Sequence, residues 1–187
     1  IKSYYEQRFL RYFLRPSLAC REAEGYLTVQ KLGIPTAEVL AYGERRTVWW
    51  LSSSFLITRF VDGSRNGTYF CTVDDGPGYG TPDMMVFCLK LIEMLATLHR
   101  NGYCHGGTHP RNFLWYGAGK DMKIIWIDLA TVKSYPDPAV FAEKAVADLK
   151  AFFQPVGLSA EQKLEVIRRY EACNPAYSGA SFENSFL

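Results

Sequence analysis

The sequence has few of the features that mark disulfide-rich, membrane-spanning or nucleic-acid-binding proteins. Its five cysteines are odd in number and lack C-x-x-C spacing, which argues against a disulfide framework or zinc ribbon and favours a reducing cytoplasm. No apolar run reaches the roughly 18 residues that a transmembrane helix needs. A net charge of +2 without a basic tail gives no sign of nucleic-acid binding. At 187 residues and 48% hydrophobic content, the chain can bury the core of one domain or two small lobes.

The most informative stretch is a predicted β-hairpin. Two apolar runs, Phe113–Tyr116 and Ile124–Ile127, flank a Gly-Ala-Gly-Lys-Asp turn. Asn112 precedes the first run and Asp128 follows the second, so pairing of the strands should place these two residues side by side. An amide and a carboxylate at adjacent strand ends are suitable oxygen ligands for Mg²⁺ held against phosphates. A hairpin with ordinary polar ends is the simpler interpretation of the pair alone.

The residues around this hairpin resemble the catalytic segment of the protein-kinase-like superfamily. The run from His105 to Asn112, His-Gly-Gly-Thr-His-Pro-Arg-Asn, is similar to the His-Gly-Asp-x-His-Pro-x-Asn loop of small-molecule and lipopolysaccharide kinases. The resemblance implies that Asn112 and Asp128 are magnesium ligands and that His105 braces the loop. Gly107 stands where the pattern has its catalytic aspartate, so the resemblance predicts a phosphotransferase with an impaired proton-transfer step.

The two histidines of this loop have alternative roles. His109 is the nearest substitute for the missing base, because a neutral imidazole accepts a proton near pH 7, although bracing of the loop is the simpler role. A second hypothesis is a zinc site in which His105 and His109 act as a helical His-x-x-x-His pair, together with Cys104. The intervening glycines and Pro110 oppose a helix, which makes the zinc site the weaker hypothesis.

The opening of the chain resembles the small lobe of a kinase. Lys2 is similar to the strand lysine that grips the α- and β-phosphates of ATP. A helix predicted over Arg15–Leu32 would supply its carboxylate partner, with Glu22 as the first choice and Glu24 as the fallback. Only Ile1 precedes the lysine, so the Gly-rich hairpin that covers the phosphates in kinases is missing. We therefore expect the sequence to be part of a longer protein, and the alternative is a nucleotide pocket without this covering hairpin.

The connection between the lobes is predicted from a pair of antiparallel strands. Thr47–Leu51 and Ser54–Val61 alternate in polarity and are rich in aromatic or β-branched residues. The second run leads into a segment that resembles the kinase hinge, where backbone groups at Arg59 and Val61 would hydrogen-bond adenine. An edge strand leaving a small sheet is the simpler alternative.

The remainder of the chain is predicted to be mainly helical. Helices are expected over residues 83–101, 137–153 and 159–173. In the second of these, Asp148 resembles the buried helix aspartate that hydrogen-bonds the catalytic-loop backbone, whereas an exposed helical aspartate is the alternative. The segment between Asp128 and that helix is too short for the activation segment of a protein kinase, which favours sugar and lipopolysaccharide kinases.

These motifs together resemble the bacterial lipopolysaccharide core (Kdo/heptose) kinase family. The resemblance implies an α+β, two-lobed protein-kinase-like fold, with a small antiparallel-sheet lobe, N-terminally incomplete, over residues 1–61 and a larger, mainly helical lobe over residues 62–187. It also implies ATP and Mg²⁺ as cofactors and a sugar hydroxyl of the lipopolysaccharide inner core as acceptor. The alternatives are a catalytically silent kinase-fold module that binds or regulates, and a small-molecule kinase of the aminoglycoside type.

A basic segment near the start predicts contact with an anionic surface. Arg8, Arg11 and Arg15 are spaced i, i+3, i+7 with apolar residues between them, which on a helix gives a cationic face beside an apolar one. This pattern suits peripheral contact at the cytoplasmic face of the inner membrane. A helix packed on the small lobe, with solvated arginines, is the simpler alternative.

Overall fold

The fold combines three small antiparallel sheets with four α-helices in the part of the chain that the structure describes. The computed structural model describes residues 1–4, 15–72 and 76–175. The strands are β1 (Lys2–Tyr4), β2 (Val39–Thr47), β3 (Trp50–Thr58), β4 (Arg65–Asn66), β5 (Tyr103–Cys104), β6 (Phe113–Tyr116), β7 (Lys123–Trp126) and β8 (Lys133–Ser134). The helices are α1 (Leu18–Lys31), α2 (Pro82–Arg100), α3 (Pro138–Val156) and α4 (Ala160–Cys173). No helix in these ranges is long and apolar enough to cross a membrane.

The first sheet has the strand order β1-β3-β2 and pairs Lys2 with Leu56. Its two long strands are joined at Val48 and Trp49, where Val48 has a φ of 57°. The predicted strand Thr47–Leu51 is therefore wrong, since the chain reverses within it. Two apolar residues form this turn without glycine or asparagine, so the sequence carries none of the usual signals of a reversal. The segment before the turn, which was not predicted as a strand, forms β2.

The four predicted helices are all present, and side-chain caps explain where α1, α3 and α4 begin, whereas α2 begins after Thr81 without a side-chain cap. The Ser17 side chain accepts the Cys20 N–H at 3.2 Å, which starts α1 three residues after the predicted beginning. Asp137 caps α3 by accepting backbone N–H groups of the first turn. Ser159 and Gln162 form the predicted capping box of α4.

The predicted hairpin is formed by β6 and β7, and it is tied to the segment that follows α1. Phe113 lies opposite Trp126, and both side chains are fully buried. Trp126 N–H donates to Pro35 O at 3.0 Å, and Ala37 N–H donates to Trp126 O at 3.2 Å. These bonds fix α1 relative to the end of β7, which is where Asp128 lies.

Helix α4 packs against α2, and α2 is followed by β5 and then by the loop of residues 105–112. The buried side of α2 contacts α4, where Val166, Ile167 and Tyr170 are buried. Burial of each such large apolar side chain stabilises the fold by about 1.5–3 kcal/mol. Beyond α2, β5 pairs with β8, and this pairing holds the 105–112 loop against the segment after Asp128.

Candidate active site

An ion pair joins the first strand to the first helix. Lys2 Nζ donates to Glu22 Oε1 at 2.7 Å, and the Glu22 side chain is buried whereas that of Lys2 is half-exposed. The Tyr4 hydroxyl donates to the second oxygen of Glu22. Burial and this hydrogen bond raise the pKa of Tyr4, so the phenol stays protonated and remains a donor. Of the two glutamates considered from the sequence, Glu22 is the partner of Lys2.

Asp128 lies on the other side of the same lysine. Its Oδ1 is 3.6 Å from Lys2 Nζ, and about half of its side chain is exposed (52%). Its φ is 60°, a left-handed conformation that costs a non-glycine residue about 1 kcal/mol or more. The Asp128 N–H donates to the Tyr26 hydroxyl at 3.2 Å, which helps to hold this conformation. The carboxylate therefore faces the lysine at the open end of the hairpin.

Gly25 allows α1 to pack closely against the backbone of Leu129, the residue after Asp128. A Cβ on Gly25 would lie only 2.1 Å from Leu129 O, so any side chain there would displace the backbone next to Asp128. Tyr4, Tyr26 and Gly25 all support the site, and the sequence analysis assigned none of them a role. A glycine in the middle of an amphipathic helix was the available signal, since it costs about 1 kcal/mol of helix stability relative to alanine.

The Asp148 carboxylate hydrogen-bonds the backbone at the start of the loop of residues 105–112. One Asp148 oxygen accepts the His105 N–H at 2.6 Å and the other accepts the Gly106 N–H at 2.8 Å. The Thr108 hydroxyl also donates to the backbone carbonyl of Asp148. Asp148 is 2% exposed, so the predicted role of this residue in bracing the loop is confirmed and the alternative of an exposed carboxylate is wrong.

A buried relay of side chains extends from Asp148 towards the end of α4. His99 Nε2 lies 3.2 Å from Asp148 Oδ2, and His99 Nδ1 lies 2.8 Å from the Tyr170 hydroxyl. An Nε2–H tautomer satisfies both contacts, because it donates to the carboxylate and accepts from the phenol. Asn174 Nδ2 donates to the Tyr170 oxygen at 3.3 Å. His99, Asp148 and Tyr170 are far apart in the chain, and no local pattern in the sequence signalled their contact.

Asn112 is buried immediately before β6, and its side-chain amide hydrogen-bonds the backbone of the 105–112 loop. Its Nδ2 donates to Gly107 O at 2.7 Å, and its backbone oxygen accepts the Ile127 N–H at 2.9 Å. Asn112 therefore lies across the hairpin from Ile127, one residue before Asp128. The predicted side-by-side placement of the Asn112 and Asp128 side chains stays a prediction. The amide oxygen of Asn112 and the carboxylate of Asp128 are the type of oxygen donors that Mg²⁺ takes.

Gly107 has room for a side chain. A Cβ at this position would lie 3.5 Å from both Asn112 Nδ2 and Thr131 Oγ1, and 3.7 Å from His105 Nδ1, which are ordinary contacts. Its φ is outside the left-handed region. Neither packing nor backbone conformation therefore requires a glycine where kinases carry the catalytic aspartate.

The two histidines of the loop occupy different environments. His105 is fully buried against the rings of Phe113 and Trp126, and burial lowers its pKa to about 4. Within the described part of the chain, neither of its ring nitrogens has a hydrogen-bond partner. His109 Nδ1 accepts the Arg111 N–H at 3.2 Å and caps a short 3₁₀ turn. This hydrogen bond favours the bracing role of His109 over a role as base, because it occupies the Nδ1 lone pair.

The zinc hypothesis receives no support from the arrangement of donors. Within the described ranges, the group of ligand atoms close enough for a metal ion consists of His99, Cys104 and Asp148, not the predicted set. His99 and Asp148 already hydrogen-bond each other, and burial raises the pKa of the Cys104 thiol to about 12. A protonated thiol is a poor metal ligand. The 105–109 segment is not helical, as its glycines predicted.

The backbone groups of the hinge segment are partly occupied. Arg59 N–H donates to Glu38 O at 2.8 Å, and Val61 O accepts from the Ser64 hydroxyl at 2.8 Å. Among the hydrogen bonds between described residues, none uses Arg59 O or Val61 N–H, one acceptor and one donor on alternate residues. This pair matches the exocyclic amine and ring nitrogen of adenine. Strand β3 ends at Thr58, earlier than the predicted Val61, because residues 59–61 leave the sheet.

The chain is similar to known proteins both in sequence family and in fold. The model of a family described as "Lipopolysaccharide kinase (Kdo/WaaP) family" matches residues 6–170. The solved structure "WaaP in complex with acyl carrier protein" is similar over 100% of this chain and 100% of that chain, with a TM-score of 0.62 and 17% identity. A Rio2 kinase–ADP/Mg²⁺–phosphoaspartate complex from Chaetomium thermophilum matches 90% of this chain and 51% of that chain, with a TM-score of 0.49 and 18% identity. No curated protein matches the chain. The predicted α+β protein-kinase-like fold is thus confirmed, whereas the lobe boundary at residue 61 stays a prediction.

Proposed function

Because the chain belongs to the lipopolysaccharide kinase (Kdo/WaaP) family, we propose that it is an ATP- and Mg²⁺-dependent phosphotransferase acting on a sugar hydroxyl of the lipopolysaccharide inner core. The observation that carries this proposal is the position of Lys2 Nζ, 2.7 Å from Glu22 and 3.6 Å from Asp128. A lysine between a buried glutamate and a half-exposed aspartate holds its positive charge where phosphates and their metal would meet. The enzyme would work at the cytoplasmic face of the inner membrane, where ATP is available.

The adenine, the phosphates and the metal of bound ATP each have a proposed counterpart in this chain. Arg59 O and Val61 N–H would bind adenine, and Lys2 would contact the α- and β-phosphates. Asn112 Oδ1 and Asp128 would hold Mg²⁺, and both supply the oxygen donors that this ion prefers. The ion would neutralise charge on the phosphates, while Glu22 and Tyr4 keep the lysine in place.

Gly107 sets the expected rate. General-base help is typically worth about 10²- to 10⁴-fold, which is about 3–5 kcal/mol of barrier. Phosphoryl transfer depends mainly on positioning and charge neutralisation, so the loss of a base slows it rather than abolishing it. We therefore propose a slow enzyme.

The test is calorimetric titration of the full chain with ATP, with and without Mg²⁺. Mg²⁺-dependent binding is expected, and Asp128→Ala should weaken it at least tenfold. Asp121→Ala is the matched control, because Asp121 is an exposed aspartate in the turn of the same hairpin. Equal binding by the two variants would contradict the assignment of Asp128.

A second candidate is a kinase fold that binds without transferring phosphate, and Gly107 is the observation that favours it. The two candidates differ in one measurement, turnover on core lipopolysaccharide by Gly107→Asp. A gain of at least tenfold over the parent supports the phosphotransferase. Turnover that stays at background while Mg²⁺-ATP still binds supports the silent module.

A further inference from the structure

The space beside Gly107 is surrounded by polar atoms with unused hydrogen-bonding capacity. Asn112 Nδ2 and Thr131 Oγ1 lie 3.5 Å, and His105 Nδ1 lies 3.7 Å, from the point where a Gly107 side chain would begin. Asn112 uses one of its two N–H groups on Gly107 O, which leaves the other. His105 is fully buried, and no described residue hydrogen-bonds its Nδ1. A buried nitrogen without a partner is costly, which points to a group that is missing from this space.

This space opens into a cavity that is large enough for part of a substrate. The cavity has a volume of about 490 Å³, and Gly107, Thr131, Tyr135 and Lys144 contribute to its lining. Lys144 is partly exposed, and its charge is balanced by an ion pair with Glu143. Asp148 also lines the cavity, and its carboxylate oxygens accept the His105 and Gly106 N–H groups. A small ligand that enters the cavity can therefore reach Gly107.

We infer that the gap at Gly107 binds a carboxylate that is not part of the chain and that replaces the missing aspartate. The donors around the gap are an amide, a hydroxyl and an imidazole, which hydrogen-bond a carboxylate without displacing any side chain. The carboxylate has two possible sources, the acid group of a sugar-acid acceptor and a free small carboxylate such as formate. The catalytic consequence rests on the proposed function, whereas the binding consequence does not.

In the reaction, the bound carboxylate takes the proton of the acceptor hydroxyl. The hydroxyl oxygen forms a bond to the γ-phosphorus of ATP as the bond between that phosphorus and the β–γ bridging oxygen breaks. ADP leaves with the electron pair of the broken bond. The products are the phosphorylated acceptor, ADP and the protonated carboxyl group, which then releases its proton to water.

The binding arm uses formate and needs no activity. Formate is titrated into the full chain at constant ionic strength, with chloride as the control anion, and the backbone amides of Gly106 and Gly107 and the His105 ring are followed by NMR. A saturable change of these signals with formate alone is expected. Gly107→Ala should weaken formate binding at least tenfold, because its methyl group fills the gap at ordinary contact distances. Gly107→Asp should abolish it, because the variant carries its own carboxylate.

The turnover arm distinguishes the two sources. Formate should raise turnover of the parent at least tenfold, and it should have no effect on Gly107→Asp. An acceptor with a free carboxylate should react at least tenfold faster than its methyl ester, and this preference should disappear in Gly107→Asp. Stimulation by formate without any acid preference assigns the free source, and acid preference without stimulation assigns the acceptor.

Two results would overturn the inference. One is the absence of a saturable formate signal at Gly107 and His105, and the other is a signal that persists unchanged in Gly107→Ala. If Gly107→Asp turns over while the parent ignores both formate and the acid group, the inference fails and the proposed function stands. If Gly107→Asp binds ATP but shows no turnover, the proposed function fails, and the formate titration alone decides whether the gap binds a carboxylate.

Discussion

Removal of the Asp148 carboxylate should destabilise the protein more than any exposed substitution in the same helix. This side chain accepts the N–H groups of His105 and Gly106 and contacts His99 Nε2, and it is 2% exposed. Hydrogen bonds to a charged group contribute about 1.5–3 kcal/mol each, but contributions within one network are not additive. We therefore expect Asp148→Ala to lower the free energy of unfolding by about 3–5 kcal/mol, as is typical when a buried charged network loses a member.

Urea and thermal unfolding would measure this loss. In a chain of this size, 1 kcal/mol corresponds to about 2–4 °C in Tm, so Asp148→Ala should melt about 6–20 °C below the parent. Asp148→Asn should lose less, about 1–3 kcal/mol, because its oxygen still accepts one or two of the donors while its amide faces another donor. Glu143→Ala is the control on the same helix, and it should change stability by less than about 0.5 kcal/mol because Glu143 is largely exposed. A loss below 1 kcal/mol in Asp148→Ala would refute the role assigned to the carboxylate.

Three further predictions concern His105, Gly25 and Gly107. Burial lowers the pKa of His105 in the folded state to about 4, so the unfolded chain binds a proton at this residue before the folded chain does as pH falls. In urea titrations, the free energy of unfolding should therefore drop by about 2 kcal/mol between pH 7.5 and 5. His105→Phe should remove this part of the drop. Gly25→Ala should weaken Mg²⁺-ATP binding at least tenfold in calorimetry, because its Cβ would lie 2.1 Å from Leu129 O, whereas Glu24→Ala on the same helix should not. Gly107→Asp should fold with a Tm within about 4 °C of the parent in calorimetric scans, because its Cβ meets nothing closer than 3.5 Å, and a larger loss would contradict the room observed at this position.

The parts of the structure that were predictable are those with local causes. The helices follow from apolar periodicity and from caps such as Asp137 and the Ser159–Gln162 box, which act within a few residues. The hairpin of β6 and β7 follows from two apolar runs around a glycine-containing turn. The turn at Val48 was missed because its residues lack the usual turn chemistry, and tertiary pairing with β1 and β3 overrides their propensity.

The contacts of the candidate site also divide into those with local causes, which were predictable, and those between distant segments, which were not. The pairing of Asn112 with Ile127, next to Asp128, was predictable because it depends on strand pairing over a short loop. The contacts of Glu22 with Tyr4 and of His99 with Tyr170 were not, because they join elements far apart in the chain. A pattern of spacing in one segment contains no information on which distant side chain completes its hydrogen bonds. Arg8 and Arg11, which carry the predicted membrane contact, lie outside the described residues.

The features that resist a purely structural explanation lie together at one end of the hairpin. Asp128 keeps a left-handed backbone, His105 buries a ring without a hydrogen-bond partner, and Gly107 leaves open a position that a side chain would fit. Strained or unsatisfied groups of this kind cost about 1–3 kcal/mol each and are found where a ligand compensates them. A bound metal would compensate Asp128, and a carboxylate beside Gly107 would fill the open position and reach the His105 ring. If the two proposals hold, the loop of residues 105–112 has the arrangement needed for phosphoryl transfer, and the general base is a carboxylate that is not part of the chain.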